Sequence, residues 1–127
     1  ETLKLDLIIE RGDNELSGRV TYNDNLIVDM ADNVSRLESQ LKQLLHDFED
    51  VDPNIVEFNH LYDVYALFDQ FDFLNISKVA GHAGINAGLL RQYASGVKHP
   101  SANQAKKIED TIHGLAAQMQ KVAVYAE

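Results

Sequence analysis

The sequence predicts an α+β chain in two parts: a small βββαβ sheet domain over residues 1–61 and an all-helical domain over residues 62–127. Three observations lead there. Leu3, Leu5, Leu7 and Ile9 recur at every second position, the period of a strand with one buried face. The period lengthens to that of a helix at Leu37, Leu41, Leu44, Leu45 and Phe48. Charge divides the chain too: residues 1–75 hold 17 acidic and 5 basic side chains (-12), and residues 76–127 hold 3 acidic and 6 basic (+3).

Gly12 and Asn14 turn the chain after the first strand. Leu16, Gly18, Val20 and Tyr22 form a second alternating run, Asn23 to Asn25 a second turn, and Leu26 to Met30 a third run, giving an antiparallel meander. Ser35 and Glu38 offer a capping box to the helix that should cover the sheet. Pro53 closes the acidic segment, and Ile55 to His60 alternates as a fourth strand. At least one sheet edge stays open, a natural place for a second copy to add.

Val64, Leu67, Phe68 and Phe71 then mark a short amphipathic helix, followed by helices over Ile76–Ala83, Asn86–Ser95 and Ser101–Lys121. Four such helices suggest a compact bundle. In the last, Ala105, Ile108, Ile112, Leu115 and Met119 share a face that packs the bundle or joins two subunits, and the tail Val122 to Tyr125 is compatible with a short added strand.

Composition narrows the chemistry. Cysteine is absent, which removes disulfides, thiolate catalysis and sulfur-ligated zinc, and suits a reducing cytoplasm. Apolar runs fall far short of the roughly 20 residues that cross a bilayer, so a soluble cytoplasmic protein without a membrane partner is expected. The chain begins at Glu1 rather than Met, which points to a short missing leader. His46, His60, His82, His99 and His113 are scattered, so no metal or other cofactor is expected. The pairs Asp50 with Asp52 and Glu109 with Asp110 read as solvated faces, and Arg11-Gly12-Asp13 as a hairpin turn. No nucleophile stands at recognisable spacing from a base, so the chain is not expected to be an enzyme.

The most informative spacing is Ala80, Gly84, Ile85, Leu90 and Tyr93. A small residue at 80 lets two helices cross, and glycine at 84 supplies the positive φ that ends the first of them. Ile85, Leu90 and Tyr93 anchor the second helix, leaving Asn86, Ala87, Arg91 and Gln92 outward, as a helix entering a DNA major groove requires. Residues Ile76 to Tyr93 resemble the helix-turn-helix of the phage-repressor (XRE, Cro-like) family. Ser95-Gly96-Val97-Lys98-His99-Pro100-Ser101 resembles the segment that follows it there, and Ser101 with Gln104 offers a capping box. With Asn75-Ile76-Ser77 and Leu90-Arg91-Gln92-Tyr93, the whole chain resembles HicB-like antitoxins.

That resemblance implies a HicB-like, partial ribonuclease H-like sheet domain followed by a lambda-repressor-like helix-turn-helix domain. It also implies an autoregulatory transcriptional regulator whose partners are a double-stranded DNA operator and a small toxin protein. In such a regulator Arg91 would read guanine, Gln92 would address adenine, and Asn86 and Ala87 would border the groove. Ser77, Lys78, Lys98, His99 and Lys106 would contact phosphate. Ala87 and Gly88 leave a narrow reading face, so a homodimer on half-sites about 34 Å apart is expected. A second reading is a protein-binding antitoxin or adaptor that covers a toxin with its acidic domain, its DNA contact weak or lost. A third, a ribonuclease H-like hydrolase, lacks a clear carboxylate cluster.

Overall fold

The computed structural model describes residues 1–127, which divide into two compact units, 1–69 and 70–127. The first contains β1 (Leu3–Arg11), β2 (Leu16–Tyr22), β3 (Asn25–Ala31), α1 (Val34–Glu49), a 3-10 turn at Pro53–Ile55, β4 (Val56–Tyr62) and all but the last residue of α2 (Val64–Gln70). The second contains α3 (Ile76–Ala83), α4 (Ala87–Ala94) and α5 (Ala102–Met119). No helix is long and apolar enough to cross a membrane.

The four strands form one mixed sheet in the order β3-β2-β1-β4. β1, β2 and β3 pair antiparallel, whereas β4 runs parallel to β1, with Leu3 opposite Val56 and Ile9 opposite Tyr62. Asn23 and Asp24 join β2 to β3 with φ of 49 and 63°, a left-handed pair whose twist suits a two-residue hairpin and which Asn and Asp adopt more readily than other side chains. A parallel partner needs a crossover, and α1 supplies it by carrying the chain from the β3 edge to the β4 edge.

α1 is capped by Asn33, whose side chain accepts from the Arg36 N–H, and not by the Ser35–Glu38 box; the helix begins at Val34, so Ser35 already lies in its first turn. Its far end turns at Asp50 (φ 55°), with the Asp50 and Val51 N–H groups returning to the His46 and Leu45 carbonyls. Leu37 and Leu41 meet Leu7, Ile9, Leu16, Val20 and Ala31 of the sheet, together with Ala66 of α2. Gly18 is a socket in this layer: a Cβ there would lie 2.7 Å from Leu37 Cδ2. Below the last turn Leu45, Val51 and Val56 complete the core, and Phe48, expected on the buried face, is 75% exposed.

The expected fold class is corrected by these arrangements. The helix expected to open a second, all-helical domain is α2, and Ala66 places it in the core of the sheet. Three helices remain, not a four-helix bundle. The chain is therefore an α+β fold with a four-stranded mixed sheet at its N-terminus and five α-helices; neither a lambda-repressor-like helix-turn-helix domain nor a HicB-like sheet domain ending at residue 61 describes it. In the second unit Val79, Ala80, Ile85, Leu90, Tyr93 and Ile108 are buried, and α3 packs against both α4 and α5. The apolar face expected along α5 is only partly used: Ile112 and Leu115 are half-buried, while Ala105 and Met119 are exposed. The tail Val122 to Tyr125 is exposed and forms no strand.

Candidate functional site

Each helix of the second unit starts on a neutral cap. Asn75 accepts from the Lys78 N–H (3.0 Å), Asn86 from the Leu89 N–H (3.1 Å) and Ser101 from the Gln104 N–H (3.2 Å). Between α3 and α4 the chain bends at Gly84 (φ 70°), and the Ile85 N–H returns to the Ala80 carbonyl at 3.0 Å. A Cβ at Gly84 would meet nothing, so the requirement there is backbone conformation and not space. At Gly88 space does matter: a Cβ would lie 3.1 Å from the Asn86 Oδ1 that caps α4.

Leu90 and Tyr93 bury the inner side of α4, which leaves Arg91 and Gln92 exposed on the other. Arg91 Nη1 donates to Ser77 Oγ at 2.9 Å, tying the outer edge of α4 to the first turn of α3. The Gln92 carbonyl accepts from the Val97 and Lys98 N–H groups (3.0 and 3.2 Å) and from the Ser95 hydroxyl (3.2 Å). The loop bearing Lys98 and His99 is thereby fastened to the helix that bears Arg91. A shallow groove lined by Ile76, Arg91, Gln92, Ala94 and Ser95 runs along this edge.

Of the residues singled out in the sequence, Ser77 and Arg91 are brought into contact, and Gln92 and Lys98 are linked through the backbone. Lys78 and His99 are exposed, Asn86 is engaged as a cap, and Ala87 is half-buried. Lys106 is placed differently. On α5 its ammonium lies 2.7 Å from Asp110 and 3.6 Å from Glu109, and the hydrogen bond to Asp110, then its charge, raise the lysine pKa above the ordinary value. Its charge is answered within its own helix. The Gln92 carbonyl and Ser95, which fix the loop, were not found from the sequence, because a backbone acceptor leaves no mark on residue type.

A second polar cluster lies in the first unit, where Glu38 of α1 is bonded to His60 of β4 and Lys42 stands 5.9 Å from the Phe58 ring centroid. Burial, then the nearby Glu38 charge, push the Tyr62 hydroxyl above its ordinary pKa. Helix period and strand alternation together place Glu38 and His60 on facing surfaces, but nothing local pairs residues so far apart in the chain. No protein-family model matches this chain, and no curated protein or solved structure is significantly similar to it.

Proposed function

We propose that the chain is a transcriptional regulator that binds double-stranded DNA, as a dimer, through the exposed edge of α4. The observation that carries this reading is the Arg91–Gln92 edge, held to Ser77 and to the Lys98 loop, in the part of the chain whose charge balance is +3 when residues 1–75 carry -12. Arg91 has the fork that pairs with guanine O6 and N7, and Gln92 the amide that pairs with adenine. Ser77, Lys78, Lys98 and His99 border them as phosphate contacts. Lys106, exposed on α5, would join them by exchanging its Asp110 and Glu109 partners for phosphate.

Selection from a random duplex library, joined by the DNA upstream of the chain's own gene, tests the reading. Enriched and scrambled duplexes are then titrated by fluorescence anisotropy over a range of salt. Arg91→Ala is expected to weaken the enriched duplex by about 1–3 kcal/mol while leaving the scrambled one nearly unchanged. Lys98→Ala is expected to weaken both alike and to lower the salt slope by about 1. A library that yields no enriched sequence, or an affinity indifferent to salt, rejects DNA binding.

A further inference from the structure

The edge strand β3 carries few of the features by which sheets usually discourage pairing. It has no proline and no lysine, and its one charge, Asp29, is on the inner face with Ile27 and Ala31. Its outer face is Leu26, Val28 and Met30, which are 62, 47 and 58% exposed. On the opposite edge, β4 instead alternates Glu57, Asn59 and Leu61 outward.

The backbone of β3 is more selective than its side chains. The two-residue turn makes Tyr22 and Asn25 a hydrogen-bonded pair, so that Asn25, Ile27 and Asp29 bond to β2, while the N–H and C=O groups of Leu26, Val28 and Met30 face the open edge. Met30 is already satisfied: its N–H donates to Asp29 Oδ1 and its carbonyl accepts from Gln40 Nε2, both at 2.8 Å. The donors and acceptors that remain are those of Leu26 and Val28.

We propose that a second copy of this chain adds to β3, strand to strand and antiparallel, about a two-fold axis at Ile27. In that register Leu26 pairs with Val28 of the partner subunit and Val28 with Leu26 of the partner subunit, each pair exchanging both main-chain bonds. Every free group is used, and Met30 is not needed. Asn25, whose amide already donates to Glu49 Oε2 at 3.1 Å, then lies opposite Asp29 of the partner subunit, and Asp24 lies opposite Met30 of the partner subunit. Centring the axis on Val28 instead would set Asp24 against Asp32 of the partner subunit and call on the Met30 groups that Asp29 and Gln40 hold. The free backbone groups, together with the avoided Asp24–Asp32 apposition, select one register, and a strand whose open groups are symmetric about Ile27 fits a copy of itself. Leu26 and Val28 also meet their counterparts side by side on the outer face, removing part of the exposed apolar stripe from water.

The interface uses the first unit alone and its test contains no DNA, so its failure and the failure of the DNA reading are separately visible. Sedimentation equilibrium of the full chain is expected to give twice the 14.2 kDa chain mass at micromolar concentration. Val28→Lys, which puts a charge on an exposed position of the strand, is expected to weaken the dimer at least about tenfold with an unchanged circular dichroism spectrum. Leu61→Lys, on β4, is expected to leave it intact. Because the chain has no cysteine, the register can be read by cross-linking. A hydrogen-bonded antiparallel pair has Cα atoms about 5.5 Å apart, within disulfide range, so a mixture of Leu26→Cys and Val28→Cys chains is expected to cross-link on mild oxidation far faster than either alone. A wild-type chain that stays monomeric at hundreds of micromolar overturns the proposal, as does a Val28→Lys dimer of undiminished affinity. Val28→Cys chains that cross-link alone as fast as the mixture overturn it as well. Should Val28→Lys misfold, the cross-linking comparison decides.

Discussion

Leu90→Ala is expected to destabilise the second unit by about 2–5 kcal/mol, enough to unfold much of it at room temperature. Leu90 is fully buried on α4, in a unit whose other buried side chains are only Val79, Ala80, Ile85, Tyr93 and Ile108. A unit this small buries a modest share of its surface, so removing one large side chain removes a large fraction of its stability. The α3–α4 bend holds through the Ala80–Ile85 hydrogen bond, but one such bond contributes only about 1 kcal/mol net and does not replace a leucine. Urea denaturation followed by circular dichroism measures the loss, and amide exchange locates it in residues 76–94. Exchange there that stays as slow as in the wild type would mean that α4 is not anchored through Leu90.

The second large effect is expected at Leu37, where alanine should cost the first unit about 2–5 kcal/mol. What makes the site informative is Gly18 beneath it. Gly18→Ala alone places a methyl group 2.7 Å from Leu37 Cδ2, an overpacking expected to cost about 1–3 kcal/mol. In the Leu37→Ala background that methyl has room, so the double variant should be more stable than the sum of the two losses implies, by about 1 kcal/mol or more. Thermal denaturation of the four proteins in the cycle gives the coupling directly. Strict additivity would show that the leucine relaxes away from position 18 at no cost.

Strand alternation and helix period were legible in the sequence because each is a local pattern with one dominant cause, the burial of one face. Leu7, Ile9, Leu16 and Val20 lie inward as their spacing requires. The parallel pairing of β4 with β1 was not legible, since alternation at Val56 and Phe58 says which side is buried and nothing about direction. The assignment of α2 failed for a related reason. Val64, Leu67 and Phe68 announce an apolar face without naming the surface it will cover, and the surface proved to be the sheet. Phe48 shows the limit of periodicity near a helix end, where the stripe continues after the core beneath it has been filled by Leu45, Val51 and Val56.

At the candidate site, the bend at Gly84 and the outward placement of Arg91 and Gln92 follow from residue types whose constraints are local. The Lys106–Asp110 contact is equally local, at helical i, i+4 spacing. The Arg91–Ser77 bond required tertiary structure, because it joins two helices whose crossing the sequence leaves free.

The β1–β4 pairing also dictates an order of assembly. β1, β2 and β3 follow one another through short turns and can associate as soon as they leave the ribosome, but the fourth strand is made only after the whole of α1. Until then β1, destined for the interior, is a border with an unmet row of peptide groups. Closing the loop from β1 to β4 costs more chain entropy than closing either hairpin. A nascent chain stalled within α1 would expose a sticky margin that the finished protein conceals.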